Sequence, residues 1–354
     1  MLRPGQPAPW FVAGSPANPR FHFASLGGQY VLLGFLPQGD NLDSAAVQAI
    51  RARRSVFRDD RVVAFAVVRR PDLIATAANE PGLRWFFDPE GEVSRKYFAL
   101  LEDGQEQPHW VLIDPSLRIL AVALMSETDK IMRVIEQLPP PDEHAGAPLH
   151  APVLIVPRVL EPALCAELIA LYDRQGGVPS GVMKEIDGRT VGVMDDTKRR
   201  SDLMVEDEAL RALLRQRLQT RLLPEIVKAF QFKPTRVERY LIARYDADGG
   251  GFFKPHRDNT TGGTAHRKFA CSINLDANAH TGGDLRFPEF GSRTYRPPTG
   301  GAVVFSCSLL HEATPVTSGR RYCFLPFFYD EAGQAVRDAY LRQFEPEAVE
   351  SAEA

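Results

Sequence analysis

The feature that most constrains the fold is a proline-rich break near the middle of the chain. Residues 138–148 read LPPPDEHAGAP, in which three consecutive prolines are followed by small and polar residues. This composition favours an extended, semi-rigid linker. The 354 residues are also enough for two domains of ordinary size. We therefore predict domains at residues 1–138 and 151–332, a linker at 139–150, and an acidic C-terminal segment at 333–354.

In the first half of the chain, short apolar runs alternate with helical patterns. A turn at Asp114-Pro115-Ser116 separates two of the apolar runs and suits a hairpin. The predicted elements, in chain order, are a strand at 30–35, a helix at 44–57, strands at 62–68, 110–113 and 119–122, and a helix at 127–137. This β-α-β order followed by β-β-α predicts an α/β sandwich.

Three motifs of the first half resemble the peroxiredoxin branch of the thioredoxin fold: PGQPAP at 4–9, LLGFLP at 32–37 and FDPEGEV at 87–93. The resemblance covers most of residues 1–137. It implies a thioredoxin-like domain, with Pro108 where such folds often keep a cis proline.

The first half departs from that family at its reactive residue. Peroxiredoxins carry a nucleophilic cysteine shortly after the strand-proline motif, whereas this chain has Asp43-Ser44-Ala45 there and no cysteine before Cys165. Without a thiolate there is no thiol peroxidase chemistry. We interpret this domain as a scaffold or recruitment module; the alternative is an activity of another kind.

The second half begins with helices and continues with strands that glycine-rich turns separate. A strand at 153–156 precedes a helix that begins at Glu161-Pro162, and a leucine stripe predicts another helix at 206–230, kinked or restarted at Pro224. Further strands are predicted at 240–245, 269–275, 285–288, 302–306 and 322–328. Many short strands with glycine turns predict a double-stranded β-helix (jelly roll) with flanking helices.

His256, Asp258 and His311 form the strongest functional pattern. Side chains alternate along an extended segment, so His256 and Asp258 are expected on one face, with His311 supplied by another strand. Two imidazoles and one carboxylate make the facial triad of non-haem iron(II), which leaves positions open for a cosubstrate and dioxygen. Arg321, ten residues after His311, is able to hold a carboxylate by two parallel hydrogen bonds. The alternative is a set of ordinary histidines satisfied within the core.

The sequence around this pattern resembles the iron(II)/2-oxoglutarate dioxygenases, and among them the prolyl 4-hydroxylase-like branch. The motifs are RY at 244–245, HRD at 256–258, GGDLRFP at 282–288 and HEATPV at 311–316, within a resemblance that covers about residues 150–330. It implies His256, Asp258 and His311 as iron ligands and Arg321 as the partner of the distal carboxylate of 2-oxoglutarate. Tyr245 matches a position whose hydroxyl often contacts that cosubstrate.

Two assignments stay open within the resemblance. Arg320 competes with Arg321, because adjacent strand residues point to opposite faces, and the match of Arg321-Tyr322 to an Arg-Tyr pair favours Arg321. Asn274, where some relatives carry tyrosine, either contacts 2-oxoglutarate or is a core-edge amide. The implied cofactors are Fe(II), 2-oxoglutarate as cosubstrate and O2, with ascorbate as an optional addition.

The implied reaction is hydroxylation of an unactivated C–H bond of a prolyl or other peptide or amino-acid substrate. A natural-product hydroxylase is one alternative, and a non-catalytic binding protein with a vestigial oxygenase domain is the rival from another class. The run KRRS at 198–201 is expected either to meet a substrate carboxylate or peptide backbone, or to face water.

Composition and charge limit the classes of partner and the location that we expect for this chain. The formal net charge of −3 lacks the excess of positive charge that is typical of nucleic-acid-binding proteins. No stretch approaches the roughly 20 apolar residues of a membrane span, and the start lacks a signal-peptide pattern. The four cysteines contain no Cys-x-x-Cys pair and are expected as reduced, buried thiols. We expect a cytoplasmic protein, either monomer or homodimer.

Overall fold

The computed structural model describes residues 2–73 and 76–344, and the chain divides into two compact units. The first unit is Met1–Ala151 with Phe287–Arg293, and the second is Pro152–Arg286 with Thr294–Ala354. The segment Phe287–Arg293 therefore departs from the domain predicted at 151–332. Within the first unit, Ser116 Oγ donates to the Glu289 carbonyl at 3.4 Å. A Cβ added to Gly28, whose φ is +94°, would lie 2.5 Å from Pro288 Cβ, so this contact needs glycine.

The first unit is built on a seven-stranded sheet with three α-helices. Its strands are β1 (Val12–Ser15), β2 (Asn18–His22), β3 (Tyr30–Phe35), β4 (Val62–Val68), β5 (Leu83–Phe87), β6 (His109–Ile113) and β7 (Ile119–Leu124), and its helices are α1 (Ala45–Arg51), α2 (Glu92–Lys96) and α3 (Thr128–Glu136). The strand order is β2-β1-β5-β4-β3-β6-β7. Strands β3, β4 and β5 are parallel, and β6 and β7 join antiparallel.

Both faces of the central strands in this unit are buried, which explains their uninterrupted apolar sequences. Leu32 and Trp110 lie on the face that packs against α1 and α3, whereas Leu33 and Phe65 lie on the opposite face. Helix α1 is shorter than the predicted helix at 44–57, because turns replace it after Arg51. The peptide bond before Pro108 is trans, against the expectation from the resemblance.

The second unit holds the remaining elements. Its strands are β8 (Leu154–Val156), β9 (Val178–Pro179), β10 (Val182–Ile186), β11 (Arg189–Val193), β12 (Lys198–Arg199), β13 (Ser201–Met204), β14 (Arg236–Glu238), β15 (Leu241–Asp246), β16 (Phe252–His256), β17 (Phe269–Asn274), β18 (His280–Gly282), β19 (Leu285–Arg286), β20 (Thr294–Tyr295), β21 (Ala302–Ser306), β22 (His311–Ala313), β23 (Val316–Phe324) and β24 (Phe327–Tyr329). Its helices are α4 (Pro162–Gln175), α5 (Glu208–Arg221), α6 (Leu223–Phe230) and α7 (Glu331–Arg342).

Two sheets form the centre of the second unit. A five-stranded sheet has the order β12-β16-β22-β19-β20, and a ten-stranded sheet contains the path β14-β24-β17-β23-β15-β13-β9. Tyr245 of the large sheet and Ala313 of the small sheet share one apolar cluster, so the two sheets face each other. The other face of the large sheet packs against α4, α5 and α6. This arrangement, two sheets with helices outside, is the predicted jelly-roll architecture.

Several predicted boundaries in this unit need correction. The stripe at 206–230 is two helices, because Pro224 lies in the first turn of α6 and cannot continue α5. The strand predicted at 322–328 is two strands, β23 and β24. The predicted acidic segment 333–354 begins inside α7, which Asp330 caps by accepting from the Gly333 amide at 2.8 Å. Residues 345–354 lie outside the described residues.

The state of the cysteines and the length of the helices were also considered in the sequence analysis. All four cysteines are buried and free. Over the described parts of the chain, the helices are too short or too polar to cross a bilayer.

Candidate metal and cosubstrate site

The three predicted metal ligands come together at neighbouring strands of the small sheet. Strands β16 and β22 pair so that His256 lies opposite His311. Asp258 follows the end of β16, and its backbone amide donates to the Cys307 carbonyl at 2.9 Å. Asp258 Oδ1 lies 3.5 Å from His256 Nε2, and Oδ2 lies 3.3 Å from His311 Nε2. One ligand atom from each residue lies within 4.8 Å of the others, which is a spacing suited to one metal ion.

Hydrogen bonds to the backbone fix the orientation of both imidazoles. His256 Nδ1 lies 2.8 Å from the Lys254 carbonyl, and His311 Nδ1 lies 3.0 Å from the Leu309 carbonyl. Because a carbonyl only accepts, Nδ1 carries the hydrogen in each ring and Nε2 keeps its lone pair. A metal-bound histidine is usually held in this way by its second nitrogen. Phe253 stacks on His256, with ring centroids 3.4 Å apart, and further restricts that ring.

The charges of the three groups also suit a metal. Burial alone would raise the pKa of Asp258, but His311 and His256 hold it well below its usual value. Burial, reinforced by His256, lowers the pKa of His311 to about 4. A carboxylate and a neutral imidazole are the forms that bind a cation. The donor set therefore fits Fe(II), which accepts imidazole and carboxylate ligands together.

Arg321 and Tyr245 lie between the two sheets, near one another. They are opposite partners on β23 and β15, and the Arg321 guanidinium carbon is 5.1 Å from the Tyr245 ring centroid. Arg321 is only 3% exposed, and its Nη2 donates to Ser272 Oγ at 2.9 Å. No carboxylate within residues 2–73 and 76–344 pairs with Arg321. A buried charge without a counter-ion is costly, so this guanidinium fits an anionic ligand.

The neighbouring residue Arg320 has a different environment. Its side chain is 58% exposed, and its Nε donates to Asp246 Oδ1 at 2.9 Å. The alternation of the strand thus directs Arg321 inward and Arg320 outward.

Asn274 lies on the same buried side of the large sheet as Ser272, because the two are alternate residues of β17. Its Nδ2 donates to the Pro297 carbonyl at 2.9 Å, whereas its buried Oδ1 has no hydrogen-bond partner among the described atoms. The buried His280 likewise leaves both ring nitrogens unpartnered there, and burial, with Arg296 and Arg321, lowers its pKa to about 4. Such open polar atoms beside a buried arginine are consistent with a polar ligand site.

Sequence reasoning did not identify Ser272 or His280 as site residues, and it left Arg200, within the run at 198–201, either as a substrate contact or as a charge facing water. Ser272 and Asn274 are polar residues two positions apart in an otherwise apolar strand, which was a usable signal. Arg200 Nη1 donates to the Tyr245 hydroxyl at 3.4 Å, and its Nη2 pairs with Asp202 Oδ2 at 2.6 Å. His280 carried no local signal, because its position depends on the pairing of β18 with β23.

Comparison with known proteins agrees with this geometry. Residues 240–329, which contain the triad, Tyr245 and Arg321, match the profile of the 2OG-Fe(II) oxygenase superfamily. A PKHD-type hydroxylase of Shewanella oneidensis is 31% identical over 148 residues, which are 38% of this chain and 63% of that relative. One from Cupriavidus metallidurans is 33% identical over 108 residues, 28% of this chain and 46% of the relative. The chain thus spans less than two thirds of the length of these relatives.

Solved structures similar to the chain include two prolyl hydroxylases. A Pseudomonas putida prolyl-4-hydroxylase is 20% identical, covers 53% of this chain and 96% of its own, and has a TM-score of 0.39. A Trichoplax adhaerens prolyl hydroxylase, solved with a hypoxia inducible factor peptide fragment, is 17% identical, covers 60% and 97%, and has a TM-score of 0.39.

The matched segment and the relatives support the prediction of a 2-oxoglutarate-dependent hydroxylase. The superfamily that residues 240–329 match uses Fe(II), 2-oxoglutarate and O2, and the triad of this chain has the donors that such an iron site needs.

Proposed function

We propose that this chain is an Fe(II)- and 2-oxoglutarate-dependent dioxygenase that hydroxylates an unactivated C–H bond. The observation that carries the proposal is the combination of a two-histidine, one-carboxylate triad with a buried arginine that has no carboxylate partner in the described structure. The first group fits the metal, and the second fits the free end of a dicarboxylate cosubstrate.

His256, Asp258 and His311 would hold the iron in this proposal. The Nδ1 hydrogen bonds of His256 and His311 to backbone carbonyls keep the two rings from rotating, and Phe253 packs against the His256 ring. When bound, Fe(II) with 2-oxoglutarate supplies the oxidising chemistry by which O2 is activated and the keto acid is decarboxylated to succinate.

Arg321 would bind the distal carboxylate of 2-oxoglutarate. Its planar guanidinium is always charged and is able to donate two parallel hydrogen bonds. Ser272 fixes one edge of the guanidinium, and the Tyr245 ring covers it. Tyr245 and Asn274 are the further proposed contacts, through a phenolic hydroxyl and the second N–H of Asn274 Nδ2, whose first N–H donates to the Pro297 carbonyl. Ascorbate is an optional reductant in this proposal.

The proposal for the substrate extends to a chemical class. The prolyl 4-hydroxylase-like resemblance of the triad region, together with the PKHD-type hydroxylase relatives, favours a prolyl or other peptide or amino-acid substrate. A cytoplasmic location also stays a prediction.

The first unit is proposed to be a thioredoxin-like scaffold or recruitment module. Its strands β4, β3, β6 and β7 are consecutive in the sheet, with a parallel pair followed by antiparallel neighbours, as that fold requires. Residues 1–138 contain no cysteine, so thiol chemistry has no nucleophile in this part of the chain.

Isotope-labelled turnover tests the proposed reaction. The protein, supplied with Fe(II), 2-oxoglutarate and labelled dioxygen, is incubated with pooled peptides and metabolites, and products are measured by mass spectrometry. We expect one labelled oxygen in a product and one succinate for each product formed. Succinate release that never accompanies an oxygenated product, over a broad panel, would favour the vestigial binding protein instead.

A further inference from the structure

Two basic residues of the run at 198–201 point into the second unit rather than into water. Lys198 is 7% exposed and Arg200 is 8% exposed, whereas Arg199 between them is exposed. This alternation is the normal consequence of an extended backbone, in which neighbouring side chains take opposite faces. The interpretation of these charges as a solvated loop is therefore wrong for Lys198 and Arg200.

One aromatic ring, that of Phe253, connects Lys198 to the triad residue His256. Its Nζ lies 5.1 Å from the centroid of Phe253, which in turn stacks on His256. The ammonium donates to Ser180 Oγ at 2.7 Å and to the Gly181 carbonyl, both of which are neutral. Within the part of the chain that the structure describes, no carboxylate pairs with Lys198. Burial, with Arg200 nearby, lowers the pKa of Lys198 to about 7, and the more distant charges of Asp202 and Asp258 offset this only in part.

Arg200, two residues after Lys198 in the chain, contacts Tyr245, which is a proposed cosubstrate contact. Its guanidinium lies against the Tyr245 hydroxyl, and Asp202 neutralises it. Its Nε is buried without a partner among the described atoms. Arg200 therefore links the Tyr245 environment to Lys198, but contributes little net charge by itself.

Two more arginines, Arg267 and Arg239, share one aromatic ring, and Arg267 contacts the triad residue Asp258. Arg267 Nη1 donates to the Asp258 carbonyl at 3.4 Å, and its charge is balanced by Glu238 at 2.6 Å. Arg239 lies on the same Phe327 ring as Arg267, at 4.4 Å, and its Nε donates to the Leu325 carbonyl at 3.4 Å. Arg200 and Arg267 are thus each paired with a carboxylate, Asp202 and Glu238 respectively, whereas the hydroxyl and carbonyl groups that accept hydrogen bonds from Lys198 and Arg239 are neutral.

We propose that the substrate of this site carries a carboxylate, and that Lys198, beside Arg200, binds it next to the iron centre. This inference rests on the proposed hydroxylase function and names the chemistry of its substrate: an acidic residue of a peptide or a free organic acid. Arg321 is already assigned to the cosubstrate, and Lys198 is a buried cation that pairs with no carboxylate in the part of the chain that the structure describes. The protein as a whole has a net charge of −3, so general electrostatics would disfavour acidic ligands.

The test uses the full chain loaded with Mn(II) and N-oxalylglycine, an unreactive analogue of the cosubstrate. The probe is a library of acetylated, amidated pentapeptides in which every glutamate-containing member has a glutamine twin. Retention at equilibrium is measured by mass spectrometry. We expect glutamate members to be retained about tenfold over their twins, as for a charge-assisted contact. Glutarate and N-acetylglutamate in a second arm distinguish a free acid from an acidic peptide.

Three variants identify the residue responsible. Lys198→Met keeps the apolar stem on Phe253, and Lys198→Gln keeps a donor for Ser180; each should reduce the preference to less than about twofold. Arg199→Gln, the exposed neighbour, is the matched control and should retain it. The proposal is overturned if neither glutamate peptides nor free acids are preferred, or if the preference survives both Lys198 variants. The visible band of the anaerobic Fe(II) and 2-oxoglutarate complex is recorded for each protein: if wild type gives none, the hydroxylase proposal fails; if it forms without acid preference, only this inference fails.

Discussion

The first unit buries mostly apolar side chains around its sheet, whereas the second unit buries several cations. In the first unit, the buried Asp88 accepts hydrogen bonds from the Val93 and Ser94 amides and so caps α2. The second unit buries the basic residues Lys198, Arg200, Arg257, Arg267 and Arg321. Asp88 is satisfied by the protein itself, but Arg321 and Lys198 have no carboxylate partner in the described structure. Buried polar groups that the protein leaves open are better indicators of a ligand site than buried polar groups as such.

The largest expected effect comes from removing a triad ligand. His311→Ala and Asp258→Ala should each abolish Fe(II) binding and reduce succinate formation to background, because two remaining ligands hold the metal poorly. Metal content after gel filtration and a succinate assay measure this. His150→Ala, which replaces an exposed histidine of the first unit, is the control and should behave as wild type. Iron retained at full stoichiometry in His311→Ala would assign the metal elsewhere.

The second prediction separates the two adjacent arginines. Arg321→Ala should raise the KM for 2-oxoglutarate about 100-fold, because a charge-assisted pair of hydrogen bonds is lost in a buried site. Arg320→Ala removes an exposed pair with Asp246 and should change the KM less than about threefold. Initial rates over a range of cosubstrate concentrations measure both. The reverse order would exchange their assignments.

The third prediction sharpens the contrast from the side of the first unit. Phe65 is fully buried and stacks on Phe86, with centroids 4.2 Å apart. Phe65→Ala should lower the free energy of unfolding of this unit by about 3–5 kcal/mol through the cavity it leaves. Affinity for 2-oxoglutarate at a temperature where the variant is folded should stay unchanged. A weaker affinity without unfolding would show that the apolar unit does more than scaffold.

The fourth prediction concerns the acid sensitivity of the second unit. Burial would raise the pKa of Glu238, but His266 and Arg267 hold it well below the ordinary value of 4.5. A depressed folded pKa stabilises the protein above pH 4.5, and this contribution is lost as the pH falls below that value. Glu238→Gln should therefore cost about 3 kcal/mol at pH 7 and show a shallower loss of stability under acid.

Denaturant unfolding at pH 7 and at pH 4 measures this effect. Glu331→Gln, at an exposed pair with Arg236, is the control and should change little. Identical acid sensitivity of wild type and Glu238→Gln would contradict the assignment.

Local sequence predicted much of the fold where one physical rule dominates. Apolar runs without polar alternation predicted β3 and β4, and proline chemistry predicted the start of α4 and the break before α6. Local sequence did not predict the boundaries that depend on tertiary packing. Helix α7 extends into the acidic C-terminal region, and Phe287–Arg293 belongs to the first unit. No residue type in those segments reports what they pack against.

The candidate site divides in the same way. His256, Asp258 and His311 were predicted from residue type and spacing, and the structure brings them together. Which of Arg320 and Arg321 faces inward depended on the register of β23, which sequence alone left open. Lys198 and Arg200 read equally well as solvent-exposed charges, because burial of a cation is decided by the strands that cover it.

Anaerobic titration of the full chain with Fe(II) and 2-oxoglutarate is the most direct test of the central claim. If the triad and Arg321 form one iron and cosubstrate site, a visible metal-to-ligand charge-transfer band should appear at one equivalent of each. The band should be absent in His311→Ala and should need far more 2-oxoglutarate in Arg321→Ala. No band in the wild-type protein, or an identical titration in all three proteins, would contradict the account.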